Sequence, residues 1–179
     1  MEKKKIKKNY KKIGILGGTF DPPHIGHLHI STIALKKLNL DSVIWVIAKR
    51  NPLKKKPYLG MNVRIKLSKH IIKNQKKIFI KNFHSLIKSS NTFDLLSYLK
   101  KKNNKSKLFF LIGADNLINL HRWNKWEKIT KIAKIVVFAR TNYSTKALNS
   151  IASKKLNKKD WIYINSKKIN ISSSLIRKF

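Results

Sequence analysis

Short, unbroken apolar runs recur along the chain at Ile13–Leu16, Val43–Ala48, Ile78–Ile80, Leu108–Ile112, Ile135–Ala139 and Trp161–Ile164. Polar residues do not alternate through them, which is the pattern of strands buried on both faces of a parallel sheet. Between the runs, apolar positions return at helical spacing over His24–Leu38, Asn62–Lys73, Thr92–Lys101, Trp126–Ala133 and Ser144–Lys154. This alternation predicts a doubly wound α/β fold, a parallel sheet of five to six strands with helices on both faces. A βα unit takes about 30 residues, so a chain of 179 residues holds about six in one domain. Polar stretches at Asn103-Asn104 and 157–160 read as connections, and no internal repeat or second domain is evident.

In an open parallel sheet, ligands bind outside the carboxyl ends of the strands. The segment after the first run is Gly17-Gly18-Thr19-Phe20-Asp21-Pro22-Pro23-His24-Ile25-Gly26-His27. Glycines there let backbone N–H groups approach a ligand, and the helix N-terminus behind them favours an anion. His24 and His27 lie three apart, so both imidazoles can share one face of the first helical turn. Such a turn suits a phosphate and predicts a protein that handles a nucleoside triphosphate. It is neither a dinucleotide-binding Gly-x-Gly-x-x-Gly nor a Walker loop, since no Gly-Lys-Ser/Thr follows the glycines.

Composition narrows the class. The formal charge is +35, carried by 42 basic residues against seven acids. Only Arg50, Arg64, Arg122, Arg140 and Arg177 are arginine; lysines occupy nearly every segment instead of forming one patch. That reads as a compositional bias with solvated lysines, able to draw in polyanionic substrates but not specific for nucleic acid. Cysteine is absent, which excludes disulfides, thiolate metal sites and a Cys nucleophile. The basic leader, residues 1–12, precedes too short an apolar run for a secretion signal, and no run approaches the ~18 residues of a membrane span. A cytoplasmic protein is expected. Against the lysine background, Asp21, Asp94 and Asp115 each fall inside a motif, unlike Glu2, Asp41, Glu127 and Asp160.

The glycine–histidine segment resembles the signature of the His-x-Gly-His nucleotidyltransferase superfamily. Its longer form, with Thr-Phe-Asp-Pro ahead of the histidines, looks like the bacterial nicotinate-mononucleotide adenylyltransferase family. Other stretches after strands share the resemblance. Asn51-Pro52-Leu53-Lys54-Lys55 resembles the family's Asn-Pro-x-His/Lys-Lys loop, in which Lys54 or Lys55 would bind phosphate; a solvated lysine run is the alternative. Arg64, in the helix beyond, resembles a family position near the nucleotide. Ser90-Asn91-Thr92-Phe93-Asp94 resembles Ser-Tyr-Thr-x-Asp, with Asn91 where Tyr is usual and Thr92 implied to face the pyridine carboxylate; Ser90 or Thr92 as a helix cap is the other reading. Gly113-Ala114-Asp115-Asn116-Leu117 followed by Trp123 matches the family closely. Asp115, at a strand end, can accept from ribose hydroxyls or fix the loop, with a bare helix cap as the other reading; the resemblance implies Trp123 as a platform for the pyridine ring, with Trp126 better suited to the core. Ile171-Ser172-Ser173-Ser174-Leu175-Ile176-Arg177 looks like Ile-Ser-Ser-Thr-x-Ile-Arg, a second phosphate cradle, with a plain serine helix cap as the alternative.

The resemblance implies a Rossmann-like enzyme that transfers the adenylyl group of ATP to nicotinate mononucleotide. Catalysis would fall to His24, His27 and Arg177. ATP would be held by Gly17, Gly18, Thr19, Phe20, His24, Gly26, His27, Ser172, Ser173, Ser174 and Arg177. The mononucleotide would be held by Asn51, Lys54, Lys55, Thr92, Asp115 and Trp123. Mg²⁺ would enter with ATP, with no metal site on the protein. A triphosphate beside the histidines would favour imidazolium. The competing readings are a related nucleotidyltransferase acting on nicotinamide mononucleotide or phosphopantetheine, and a basic nucleic-acid-binding protein.

Overall fold

Each of the six apolar runs forms a strand in the computed structural model, which describes residues 10–51, 53, 55–165 and 171–177. They are β1 (Lys11–Gly18), β2 (Ser42–Ile47), β3 (Ile78–Asn82), β4 (Ser106–Gly113), β5 (Ala133–Phe138) and β6 (Trp161–Ile164). The sheet order is β3-β2-β1-β4-β5-β6 and every pairing is parallel. The chain winds outward from β1 to one edge, then returns to lay β4 on the other side of β1. Strand order therefore reverses between β1 and β4, and the carboxyl ends of those two strands border the ligand crevice of such a sheet.

Burial on both faces explains the unbroken runs. Ile13 and Ile15 of β1, Phe110 and Ile112 of β4, and Ile135 and Val137 of β5 face one core. Leu16, Leu111, Val136 and Phe138 face the other. On the first face lie α4 (Thr92–Lys102), whose Leu95, Leu96 and Leu99 are buried, and α5 (Ala114–Asn119). On the second lie α1 (Ile25–Lys37) and α2 (Met61–Ile71). A four-residue helix, α3 (Phe83–Leu86), follows β3.

Two predicted helices differ in the structure. Trp126–Lys131 is a 3₁₀ segment, entered through Lys125 in the left-handed region at φ 51°, and Ala133 already belongs to β5. Residues 144–154 divide into α6 (Ser144–Leu148) and α7 (Ile151–Lys155). The division falls where Ser150 starts a new helix, its Oγ accepting the Ser153 N–H at 3.2 Å.

Gly14, inside β1, marks a close approach. A Cβ there would lie 2.9 Å from Leu40 Cδ1, 3.0 Å from Val43 Cγ2 and 3.2 Å from Leu111 Cδ1. Gly14→Ala is expected to destabilise the fold by about 1–3 kcal/mol through overpacking. Urea unfolding checks this; an unchanged midpoint would show that Leu40 can swing aside.

Candidate active site

A cleft of about 680 Å³ opens at the carboxyl ends of β1 and β4. Its floor is the end of β1, where Gly17 and Gly18 leave the backbone open; a Cβ on Gly17 would meet only the Phe110 ring, at 3.9 Å. Thr19 and Phe20 carry the chain into the turn. Phe20 adopts φ 50°, a left-handed conformation uncommon for a bulky residue. It is held there by burial and by ring contacts with His27 at 4.6 Å and Trp45 at 5.0 Å.

His24 and His27 cap α1 for each other. The Gly26 N–H donates to His24 Nδ1 at 3.1 Å, and the His24 N–H donates to His27 Nδ1 at 3.2 Å. This is a capping box in which imidazole nitrogens replace the usual oxygens. With each Nδ1 accepting from the backbone, the proton of each neutral ring sits on Nε2. Gly26 makes the geometry possible, because a Cβ there would lie 2.8 Å from His24 Nδ1 and 3.2 Å from Ile171 Cγ2. The rings lie 3.9 Å apart by centroid. The protein's own surroundings favour the neutral rings. Burial and the charge of Arg140 bring His24 down to about 4. Burial, then His24 itself, hold His27 well below its ordinary value.

Asp21 and Arg64, both buried, knot the turn to the loop after β2. Asp21 accepts the N–H groups of Tyr58 (2.7 Å) and Leu59 (2.8 Å). Arg64 donates to the carbonyls of Thr19 (2.6 Å), Ala48 (2.8 Å), Lys49 (3.2 Å) and Leu59 (3.0 Å). Arg64 therefore spends its guanidinium on backbone; its side chain does not line the cleft, but Thr19 and Ala48, whose carbonyls it holds, do. Asn51 lines the cleft and shapes its own loop, accepting the Leu53 N–H at 2.9 Å. Lys55 is exposed at the cleft, while Lys54 lies outside the described residues.

The opposite wall comes from β4 and β5. Asp115, in the first turn of α5, pairs with Arg140 at 2.7 Å; its second oxygen, Oδ1, is buried without a hydrogen-bond partner. Gly113 is again a close approach, since a Cβ would fall 2.5 Å from that Oδ1. Trp123 lines the cleft and meets Phe110 edge-on at 6.0 Å, while Trp126 packs on the first core outside the cleft. Thr92 lines the cleft at the start of α4. Neither Ser90 nor Thr92 caps that helix. Asn91 holds the cap position without a side-chain bond, and Asp94 instead accepts from Ser89 Oγ at 2.6 Å and Asn91 Nδ2 at 3.3 Å.

The C-terminal segment closes the rim. Ser172 caps the short helix α8 (Ser173–Ile176), accepting the Leu175 N–H at 3.1 Å. Ser173 Oγ donates to the Pro22 carbonyl at 2.8 Å. Arg177 donates to the Asp21 carbonyl, approaches the Asp21 carboxylate at 3.5 Å and reaches Ser174 Oγ at 3.3 Å. Apart from Lys54, every residue singled out for ATP or the mononucleotide lines this cleft.

Three arginines outside those expectations, Arg50, Arg122 and Arg140, line it too. The signal that finds them is rarity. The chain has five arginines among 42 basic residues; four border the cleft and the fifth, Arg64, holds its wall. Where lysine serves for solvation, arginine stays where a fork of fixed donors is needed.

Comparison with known proteins gives concordant results. The family model described as cytidylyltransferase-like matches residues 15–179. A protein of Pelagibacter ubique named "probable nicotinate-nucleotide adenylyltransferase" is 44% identical over 167 residues, covering 93% of this chain and 92% of its own. A protein of the same name from Clostridium novyi is 38% identical, covering 93% and 86%. Among solved structures, the Plasmodium falciparum nicotinic acid mononucleotide adenylyltransferase complexed with NaAD superposes with a TM-score of 0.77. It is 26% identical, over 95% of this chain and 84% of that one.

The histidine pair makes stability depend on pH with a defined sign. Unfolded His24 titrates near 6.5 and folded His24 at about 4, so between these values the unfolded chain binds the extra proton. Stability should be fully present above pH 6.5 and fall as the pH drops towards 4. His24→Asn keeps a capping oxygen without the titration and should flatten that slope in thermal melts. An unchanged slope would assign the acid lability to other groups.

Proposed function

We propose that this chain, which belongs to the cytidylyltransferase-like nucleotidyltransferases and within them to the nicotinate-nucleotide adenylyltransferases, transfers the adenylyl group of ATP to nicotinate mononucleotide. The products are deamido-NAD and pyrophosphate, and the step belongs to NAD biosynthesis. The observation that carries the reading is the reciprocal histidine cap, which places two neutral imidazoles at the floor of a cleft walled by arginines.

The attacking oxygen belongs to the phosphate of the mononucleotide. Its second pKa is about 6, so it is already anionic near neutral pH and no general base is required. An O–P bond forms to the α-phosphorus of ATP, the bond to the β-bridging oxygen breaks, and pyrophosphate leaves with that electron pair. Catalysis reduces to in-line positioning and stabilisation of developing charge. In this reading the Nε2–H groups of His27 and His24 donate to the transferring phosphoryl group. Gly17, Gly18, Thr19, Phe20 and Gly26 shape the backbone against ATP. Ser172, Ser173, Ser174 and Arg177 hold its β- and γ-phosphates. Asn51, Lys55, Thr92, Asp115 and Trp123 receive the mononucleotide, and the buried Oδ1 of Asp115 offers an acceptor for a ribose hydroxyl.

Among the described residues no three His, Asp or Glu side chains gather as a metal cage. Mg²⁺ would arrive as part of the ATP complex, liganded by phosphate and water, and lower the charge on the phosphates. No helix among the described residues is long and apolar enough to cross a membrane; we place the enzyme in the cytoplasm, where its substrates are.

Pyrophosphate release with ATP, Mg²⁺ and either nicotinate or nicotinamide mononucleotide tests the reading. The nicotinate form should be strongly preferred, and preference for the nicotinamide form would overturn the acceptor while leaving adenylyl transfer in place. His27→Ala should lower turnover by roughly 10²–10³, the scale for loss of one such donor. Trp123→Ala should raise KM for the mononucleotide more than for ATP; equal losses would count against ring stacking.

A further inference from the structure

His27 is gripped from behind, by two side chains, Trp45 and Ser31, that do not line the cleft. Trp45 lies in the middle of β2 and is 0% exposed. A buried indole N–H needs an acceptor, and Trp45 Nε1 finds Ser31 Oγ at 2.7 Å. Ser31, also 0% exposed, donates in turn to the His27 carbonyl at 2.9 Å, one turn back along α1. Mid-helix serines commonly make that last bond, with little consequence. Here it is anchored to a different element of the fold. A second path runs through rings. Trp45 stacks on Phe20 with centroids 5.0 Å apart and planes at 25°, and Phe20 meets His27 at 4.6 Å. Both paths start at one side chain and end at one residue. The His27 Nδ1 is already committed to the His24 N–H, so the only ring nitrogen left to face outward is Nε2.

We propose that Trp45, acting through Ser31 and Phe20, is the positioning residue for His27. The indole fixes where the first turn of α1 sits and how the imidazole is rotated, and so where the Nε2–H points. The proposal rests on the reading that His27 meets the transferring phosphate. It assigns the aim of that donor to a strand residue in the core, which lies in none of the phosphate-binding motifs.

The test uses Ser31→Ala, Trp45→Phe and the double variant, with two readouts: steady-state pyrophosphate release and the ring ¹⁵N shifts of His27 by NMR. Misaiming a catalytic group by even a fraction of an ångström is costly, so each single variant should lower kcat about tenfold. KM for ATP and the mononucleotide should hold. Because both substitutions cut one relay, the double variant should be no slower than the slower single. His27 ring resonances should move in both single variants. Ser31→Ala favours the helix intrinsically, so it carries the test even where Trp45→Phe fails to fold. Unchanged kcat and unchanged His27 shifts in Ser31→Ala would overturn the proposal, as would additive losses in the double variant. An inactive wild type would instead overturn the adenylyl-transfer reading, and the His27 shifts would then decide the positioning role alone.

Discussion

The buried Asp21–Arg64 arrangement is the constraint on which the site depends. Two opposite charges are out of water, and each is satisfied by backbone groups. Arg64 gathers carbonyls from the glycine turn and both ends of the loop after β2; Asp21 gathers amides from that same loop. Hydrogen bonds to ions are the stronger kind, and a buried ion left without them is among the costliest defects a fold can carry. The two residues therefore lock three stretches of irregular chain that helices and strands cannot lock. Arg177 extends the knot, joining the C-terminal segment to the backbone of Asp21.

That knot separates two uses of charge in one molecule. The lysine coat acts at a distance, as a diffuse field that screens with salt. The arginines act at contact. Arg140 takes Asp115, Arg177 takes the Asp21 turn and Arg64 takes four carbonyls. A net charge of +35 suggests at first a nucleic-acid surface; the placement of the arginines points instead to a single cleft.

Much of the architecture was legible from hydrophobic runs alone, because strands buried on both faces leave no polar interruptions. All six strands lie within two residues of their predicted limits. The same periodicity failed at 126–133, where the apolar spacing fits a 3₁₀ segment as well as a helix and only tertiary packing chooses. It failed again at 144–154, where Ser150 is an ordinary serine in sequence and a helix cap in space. In the site, the residues of the glycine–histidine turn were visible because their spacing is local. The structural role of Arg64 was not legible because its partners lie 5 to 45 residues away and are carbonyls, which every residue has. Arg140 belongs to no motif, and its partner Asp115 lies in the helix that follows another strand.

The reciprocal histidine cap carries a consequence for how the cleft recognises phosphate. Each Nδ1 is occupied by a backbone amide and burial disfavours protonation, so each ring in its neutral form offers one fixed donor. Under the proposed function, attraction and alignment would thereby fall to different parts of the protein: lysines and arginines would draw the polyanion in, and the histidines would orient it once it is there. Ionic strength weakens the first and leaves the second almost untouched. Such a protein would lose capture in a salty solution while keeping its pace on whatever it had already caught.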